Sequence, residues 1–444
     1  MTDTIYALAT PPGVGGVAVI RVSGGKAFEG LRELGLQNEI TPRHAVFVSF
    51  KDPVSRETLD KGLALPFRSP ASFTGEDVVE YHLHGSPAVI KKFLETLSRF
   101  KGHRLAEPGE FTRRAFENGK LDLTEAEAVA DLVHAQTELQ RQQALNQLEG
   151  GLSVLYRGWS QRIKKGLAYL EAAIDFADED LPDGFDLPVR ENYKQIISEI
   201  DEHLSDNNKG ERLRDGIHVA IIGAPNAGKS TLLNAFAKRE VAIVSDIEGT
   251  TRDILEAHLD ISGYPVILSD TAGLRPSMLG KSDQDKIESE GIRRAIERAQ
   301  SADVVILLFD GDKDIAKQQD TLSLIDERSI LVLNKIDKAS ARTEGGYIKI
   351  SAASGDGLSK LSDALAERLV TLYGNRVAPS LTRQRHRNAL QTTREHLLRS
   401  VMGAQADLTA EDARMAMREL GRITGRIDVE DLLDVIFSDF CIGK

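Results

Sequence analysis

The pattern of apolar and polar positions changes several times along the chain. In residues 1–118, short apolar runs are separated by turn clusters rich in glycine and proline, a pattern that predicts strands joined by turns. The runs lie at residues 17–22, 45–50, 63–67 and 78–83. We therefore expect an N-terminal α/β or α+β domain.

A helical pattern follows between residues 123 and 204. Apolar residues recur there at helical spacing, as in Ala128, Leu132, Ala135 and Leu139. Thr124, with Glu127 three residues later, predicts a capping box at the start of the first helix. An acidic, proline-containing stretch at 178–188 predicts a break between two helices. Helical patterns return after residue 379 and include an amphipathic helix at 428–440.

Strand and helix patterns alternate between residues 216 and 372, which is typical of a parallel sheet with helices on both faces. Because the ends of a domain usually lie close together, we expect this segment to be inserted into one helical domain. The sequence thus predicts a multidomain α/β protein. Its expected parts are an N-terminal domain, two halves of a helical domain and an inserted Ras-like P-loop domain. The predicted boundaries are 1–118, 119–212, 213–373 and 374–444.

The charge and composition limit the partners and the compartment. The net charge of -12 gives no overall attraction for nucleic acid, so RNA would need local basic patches. Two candidates are Arg113, Arg114 and Lys120, and Arg383, Arg385 and Arg387; a solvated face is the alternative interpretation of each cluster.

The longest apolar run, VVILLF at 304–309, has the pattern of a strand and is far shorter than the ~20 residues of a membrane span. The N-terminus lacks the pattern of a signal peptide. The single cysteine, Cys441, excludes an internal disulfide framework and fits a reducing compartment. We expect a cytoplasmic protein without membrane contact.

A phosphate-binding motif follows the apolar strand at 217–222. The sequence GAPNAGKST at 223–231 matches G-x-x-x-x-G-K-S between a strand and a helix. Its glycines allow backbone N–H groups to approach phosphates, and the following helix N-terminus favours negative charge. Lys229 is expected to reach the β- and γ-phosphates, and the Ser230 hydroxyl to bind Mg²⁺.

The elements that accompany such a loop follow in order. Thr250 and Thr251 form the expected switch hydroxyl pair. Asp270 follows a strand at 266–268 and is placed to hold Mg²⁺ through water, while the Gly273 N–H is placed to meet the γ-phosphate.

A guanine-recognition motif, Asn334-Lys335-Ile336-Asp337, follows a strand at 330–333. A buried Asp337 carboxylate would accept two hydrogen bonds from the guanine N1–H and amine, which adenine does not offer together. The chain is therefore predicted to bind GTP. The predicted GTP-binding residues are Asn226, Ala227, Gly228, Lys229, Ser230, Thr231, Ser245, Asp246, Ile247, Glu248, Gly249, Thr250, Thr251, Asp270, Thr271, Ala272, Gly273, Asn334, Lys335, Asp337, Ser351, Ala352 and Ala353.

The expected hydrolytic machinery departs from that of regulatory GTPases. Leu274 occupies the position where those enzymes place a water-orienting glutamine. The missing positive charge is predicted to come from Arg252, Arg275 or a bound cation. Asn226 is a candidate ligand for a monovalent cation; its alternative role is that of a turn residue capping its own loop.

These motifs resemble the Era-like P-loop GTPases, particularly through DIEGTTRD at 246–253 and DTAGLR at 270–275. The chain resembles more closely the MnmE (TrmE) family of tRNA-modification GTPases, over essentially its whole length. The segments that carry this resemblance are DTIYALATP at 3–11, residues 80–85, GEFT at 109–112, NGK at 118–120 and FCIGK at 440–444.

The resemblance implies a homodimer joined through a folate-binding N-terminal domain. It also implies a flavin-containing partner, MnmG, and tRNA as the substrate, with a carboxymethylaminomethyl group added at the wobble uridine. Dimerisation of the G domains would need K⁺. The implied ligands are Asn226, Ser245, Ile247 and Thr250 for K⁺, Ser230 and Thr251 for Mg²⁺, and Arg21, Glu80, Lys120 and Lys444 for a tetrahydrofolate one-carbon derivative.

The resemblance also implies a water-orienting glutamate, which Glu288 matches. The preceding segment, 276–287, is longer than the usual pattern, so Glu290 is the competing residue. The predicted catalytic residues are Glu288, Asn226, Lys229 and Cys441. Cys441 is expected to assist one-carbon chemistry or tRNA handling. A buried packing role is the alternative for Cys441.

Two other functions remain open from the sequence alone. One is an Era-like ribosome-assembly GTPase, which would need an appended RNA-binding module such as a KH domain. The other is a self-sufficient folate enzyme with a regulatory GTPase.

Overall fold

A computed structural model describes most of the chain. The described residues are 3–175, 187–206, 208–239, 256–270, 300–338, 345–374, 380–403, 405–427, 429–438 and 440–443. They form two compact units, one made of residues 1–133, 147–198 and 388–444 and the other of 134–146 and 199–387. None of the helices in the described ranges combines the length and the hydropathy of a bilayer-crossing segment.

The first unit contains a six-stranded sheet with the order β3-β4-β5-β2-β1-β6. Its strands are β1 (Thr4–Leu8), β2 (Gly15–Ser23), β3 (Val46–Lys51), β4 (Thr58–Phe67), β5 (Val78–Gly85) and β6 (His103–Leu105). All neighbours are antiparallel except β1 and β6. The strands predicted at 17–22, 45–50, 63–67 and 78–83 are confirmed. They could be predicted because the alternation of apolar residues that marks a strand is visible in a short stretch of sequence.

Helices cover this sheet and continue into a helical part of the chain. The helices up to residue 204 are α1 (Ala27–Glu33), α2 (Pro87–Leu97), α3 (Glu110–Glu117), α4 (Leu123–His134), α5 (Glu138–Leu148), α6 (Gly151–Asp175) and α7 (Leu187–Leu204). A cluster of three aromatic rings, Phe50, Tyr81 and Phe93, lies in the core of the sheet domain with centroids 5.1–5.6 Å apart.

The start of α4 differs from the sequence prediction. The Asp122 Oδ1 atom accepts hydrogen bonds from the backbone N–H groups of Thr124 and Glu125, each at 3.1 Å. The Glu125 carboxylate accepts in return from the Asp122 N–H at 2.8 Å. The capping box is therefore formed by Asp122 and Glu125 rather than by Thr124 and Glu127. Thr124 is buried, and its hydroxyl lies 2.8 Å from that of Ser153.

The second unit is built around a six-stranded sheet with the order β12-β11-β10-β7-β9-β8. Its strands are β7 (Ile217–Gly223), β8 (Glu256–Ile261), β9 (Tyr264–Asp270), β10 (Val304–Asp310), β11 (Ser329–Asn334) and β12 (Ile348–Lys349). Only the β8–β9 pair is antiparallel among these described strands. The predicted strands at 217–222, 266–268, 304–309 and 330–333 are confirmed.

The helices described between residues 209 and 373 are α8 (Lys209–Asp215), α9 (Lys229–Arg239), α10 (Gln319–Leu322) and α11 (Leu358–Tyr373). Strand β10 is buried over its full length, and alternate residues enter different apolar clusters on the two faces of the sheet. Burial on both faces explains why its sequence is apolar without alternation. The carboxyl ends of β7, β10 and β11 lie together at one edge, which is where ligands bind in sheets of this kind.

The last helices are α12 (Gln384–Met402), α13 (Ala406–Thr424) and α14 (Glu430–Ser438). The amphipathic helix predicted at 428–440 is present but shorter. Its apolar face packs through Leu433 and Phe437 against Leu123 and Ala126 of α4. The tail then forms an isolated antiparallel bridge between Ile442 and Pro108, so it is held against the N-terminal domain within the first unit.

Candidate nucleotide-binding site

The P-loop connects the end of β7 to the start of α9. Asn226 has a φ of 63° and Gly228 a φ of 101°, both in the left-handed region. Gly228 is required for a further reason, since a Cβ at this position would overlap the Asn334 Nδ2 atom. The loop therefore makes its turn in close contact with the guanine-recognition motif.

Lys229 is folded over its own loop. Its Nζ donates hydrogen bonds to the carbonyl oxygens of Gly223 at 3.0 Å and Ala224 at 3.3 Å. Burial lowers the pKa of this ammonium, and the nearby Asp270 carboxylate opposes that effect. A desolvated cation at the mouth of a P-loop is placed to bind phosphate oxygens.

Ser230 and Asp270 meet beside the loop. The Ser230 hydroxyl donates to Asp270 Oδ2 at 2.5 Å, and Asp270, at the carboxyl end of β9, is 3% exposed. Hydroxyl and carboxylate oxygens are the ligands that Mg²⁺ prefers. The two side chains that the sequence predicts near Mg²⁺ are thus brought together, and their donors fit that ion.

Asn334 links three segments of the site. Its Nδ2 donates to the Ala227 carbonyl at 2.8 Å, and its Oδ1 accepts from the Ala352 N–H at 2.9 Å. The side chain is 2% exposed, so both of these hydrogen bonds are shielded from water. Asn334 therefore ties the P-loop to the segment that carries Ser351, Ala352 and Ala353.

The neighbouring residues of the motif have different environments. The Lys335 Nζ donates to Asp310 Oδ2 at 2.7 Å. Burial raises the pKa of the Asp310 carboxyl. Hydrogen bonds from Lys335 and from the Asp312 N–H lower this pKa by a larger amount, so the net pKa lies below its usual value. The prediction of a buried Asp337 is wrong. Its side chain is exposed, because it lies in the turn that follows β11.

Asp310 is a residue of this site that none of the sequence motifs indicates. The signal available was an acidic residue ending a strand that is otherwise wholly apolar, VVILLFD at 304–310. Such a residue at the carboxyl edge of a central strand is placed at the site rather than in the core.

Several predicted site residues lie outside the described part of the chain. They are Ser245, Asp246, Ile247, Glu248, Gly249, Thr250, Thr251, Arg252, Thr271, Ala272, Gly273, Leu274, Arg275, Glu288, Glu290 and Lys444. The described Asn226, Ser230 and Thr231 are exposed around the loop, and Ala227 is buried.

A second polar site lies in the N-terminal domain. Arg21 and Glu80 are directly opposed on β2 and β5, and Arg21 Nε and Nη2 donate to Glu80 Oε1 at 3.0 and 2.9 Å. The Arg21 guanidinium also lies 5.4 Å from the ring centroid of Phe73 and 5.8 Å from that of Phe111. Arg21 and Glu80 are thus brought together among aromatic rings, as a site for a planar polar ligand requires.

Lys120 makes a different contact in this domain. Its Nζ donates to the Pro70 carbonyl at 3.0 Å, in the same loop that carries Phe73. Cys441 is exposed, so the alternative of a buried packing residue is wrong. Its carbonyl accepts from the Gly109 N–H at 3.5 Å, and Gly109 precedes the helix that carries Phe111.

The two candidate RNA patches contain buried ion pairs. The Arg114 side chain is 9% exposed and pairs with Glu76 and Glu110, each at 3.0 Å. Arg387 pairs with Asp206 at 2.8 Å and donates to the Leu204 carbonyl at 2.9 Å. The prediction of a basic surface is therefore wrong for Arg114 and Arg387, because their guanidinium groups form ion pairs with carboxylates inside the protein.

The P-loop lies between a strand and a helix, with a lysine over the loop and a serine–aspartate pair beside it. This arrangement defines a P-loop nucleotide-binding protein. The family described as "MnmE helical domain" matches residues 123–441, and the family described as "GTP-binding protein TrmE N-terminus" matches residues 4–120.

Curated relatives match over the whole chain. The proteins named tRNA modification GTPase MnmE from Parvibaculum lavamentivorans, Paramagnetospirillum magneticum and Rickettsia rickettsii are 51%, 49% and 45% identical, each over 100% of both chains. The chain therefore belongs to the MnmE family of tRNA modification GTPases, and it is a GTPase.

A solved structure of Era with MgGDPNP and a segment of 16S ribosomal RNA is similar at 21% identity. It covers 47% of this chain and 89% of that one, with a TM-score of 0.25.

Proposed function

We propose that this protein hydrolyses GTP as part of a tRNA-modifying complex in the cytoplasm. In this proposal it acts with the flavin-containing MnmG to add a carboxymethylaminomethyl group at C5 of the wobble uridine. The tRNA-modification role rests on the relatives' names. The observation that supports GTP as the nucleotide is the pair of hydrogen bonds that link Asn334 of the guanine-type motif to Ala227 of the P-loop and to Ala352.

The proposed Mg²⁺ and K⁺ sites are formed by oxygen donors. Mg²⁺ would be held by Ser230 and Thr251, with Asp270 acting through water, and would supply charge neutralisation at the phosphates. Asn226 would hold K⁺ together with oxygens of Ser245, Ile247 and Thr250. The exposed position of Asn226 in the P-loop supports this role, because a ligand of an incoming cation must be accessible.

The predicted hydrolytic step depends on residues outside the described ranges. With Leu274 in place of a glutamine, Glu288 would orient the attacking water, and K⁺ would supply the positive charge that an arginine finger provides elsewhere. K⁺ would act where two G domains meet in a homodimer. In this arrangement the G domain, 213–373, is inserted between the two halves of the helical domain.

The N-terminal domain, 1–118, would bind a tetrahydrofolate one-carbon derivative. Glu80 is suited to accept from the donor edge of a pterin, and Arg21, Lys120 and Lys444 to bind carboxylates. The rings of Phe73 and Phe111 beside Arg21 support a planar ligand. The tail, held against Pro108, would bring Cys441 near the same domain.

The full-length identity to MnmE relatives favours this function over an Era-like ribosome-assembly role. The first test is modification of purified tRNA by the protein with and without MnmG, followed by nucleoside analysis. We expect the modified uridine only when both proteins, GTP and the folate are present. Modified uridine formed without the partner would instead support the self-sufficient folate enzyme.

The second test measures GTP turnover in K⁺ and in Na⁺. An arginine finger accelerates hydrolysis roughly 10³–10⁵-fold, so a cation in its place should have a large effect. Asn226→Ala should lose the K⁺ stimulation, whereas Asn208→Ala, at another left-handed asparagine, should keep it. Equal turnover in the two salts would contradict the proposed cation site.

A further inference from the structure

The turn that follows β10 contacts the guanine-recognition motif at residues 334–337. Asp310 ends the strand and is 2% exposed. Its Oδ2 accepts from Lys335 Nζ at 2.7 Å, and the next residue, Gly311, donates its N–H to the Asn334 carbonyl at 2.9 Å. The turn thus contacts both the backbone and the lysine side chain of the motif.

Asp310 is itself held in place by Gln318, which is 7% exposed. The Asp310 N–H donates to Gln318 Oε1 at 3.0 Å, and Gln318 Nε2 donates to the Asp310 carbonyl at 3.2 Å. The second carboxylate oxygen of Asp310 accepts from the Asp312 N–H at 3.1 Å. Because the main chain and the carboxylate of Asp310 are both fixed, the position of its Oδ2 is fixed as well.

Lys335 needs such support for two reasons. Its φ of 65° lies in the left-handed region, which residues with long side chains rarely adopt. The phosphates of a nucleotide bound at this site would also attract the Lys335 ammonium group away from the base. The Asp310 carboxylate opposes that attraction and holds the Lys335 head group at the β10 edge.

We propose that Asp310 is a positioning residue for guanine binding: it holds Lys335 at the base site, and Gln318 holds Asp310. This inference rests on the proposed binding of GTP at Asn334 to Asp337. A merely structural ion pair is the alternative. Buried ion pairs contribute little net stability because desolvation offsets their attraction, so a role in arranging the site explains the pair better.

The test measures GDP binding by displacement of a fluorescent GDP analogue from the full-length protein. Asp310→Asn should weaken binding about 10-fold, the lower end of what a charged hydrogen bond contributes. Gln318→Met should have a smaller effect in the same direction. Asp314→Asn removes an exposed carboxylate four residues from Asp310 and should leave affinity unchanged. In steady-state hydrolysis, Asp310→Asn should raise KM while kcat stays the same, as expected when uniform binding is lost.

A double-variant cycle with Lys335→Met separates positioning from folding. If Asp310 acts through Lys335, Asp310→Asn should cause no further loss of affinity in the Lys335→Met background. An equal loss in both backgrounds, or normal affinity of Asp310→Asn, would overturn the proposal. Failure of the unaltered protein to bind the GDP analogue would instead contradict the proposed function, so the two failures are distinguishable.

Discussion

Replacement of Gly228 by alanine tests how tightly the P-loop and the guanine motif are joined. The left-handed φ of 101° costs an L-residue about 1–2 kcal/mol. The new Cβ would also overlap Asn334 Nδ2 and displace the amide that binds the Ala227 carbonyl. Leaving a buried carbonyl without its partner costs about 1–3 kcal/mol. The total of about 2–5 kcal/mol corresponds to roughly a 30-fold to several-thousand-fold change in an equilibrium constant.

This cost is shared between the folding of the ligand-free domain and its affinity for nucleotide. Both are therefore measured, by the thermal unfolding midpoint and by titration with a fluorescent GDP analogue. Gly374→Ala is the matched control, since Gly374 has a φ of 78° and a Cβ there would have no atom within 4 Å. It should lower the unfolding midpoint through backbone strain alone and leave affinity unchanged.

Substitutions of Gly228 and Asn334 are expected to combine less than additively. Asn334→Ala removes the same link as Gly228→Ala and relieves the overlap, so the combined loss should be smaller than the sum of the single losses. Strictly additive losses would show that Gly228 acts independently of Asn334. A Gly228→Ala protein with unaltered affinity would refute the close contact itself.

Three further predictions concern other parts of the chain. Glu288→Ala should slow GTP hydrolysis by about 10²–10³ with affinity nearly intact, as expected for a group that acts only in the transition state; a larger loss in Glu290→Ala would move the role there. Cys441→Ser should abolish tRNA modification but preserve the GTPase rate and the unfolding midpoint, and a fully active variant would exclude the thiol from the chemistry. Arg114→Met should cost about 3 kcal/mol of stability because it leaves buried carboxylates short of a partner. Arg113→Met, at an exposed ion pair, should cost at most about 1 kcal/mol in denaturant unfolding.

The sequence by itself determined the features that depend on short stretches of chain. The strands at 217–222 and 304–309 were predictable because continuous apolar runs report burial on both faces of a sheet. The positions of Lys229 and Ser230 followed from a motif whose backbone geometry is local. The start of α4 was predicted two residues late, because Asp122 and Thr124 are both acceptable caps and local propensity does not choose between them.

Only the tertiary structure decided which distant groups meet. Asn334 and Ala227 are 107 positions apart, and Asp310 and Lys335 are 25 apart, so their hydrogen bonds exist only because parallel strands end at one edge of the sheet. Arg114 had the sequence context of a surface cation, yet folding brings Glu76 and Glu110 to it, buries Arg114 and Glu110, and leaves Glu76 half-buried. Burial and pairing of charges depend on the whole surrounding volume rather than on neighbours in sequence, and no periodicity along the chain encodes them.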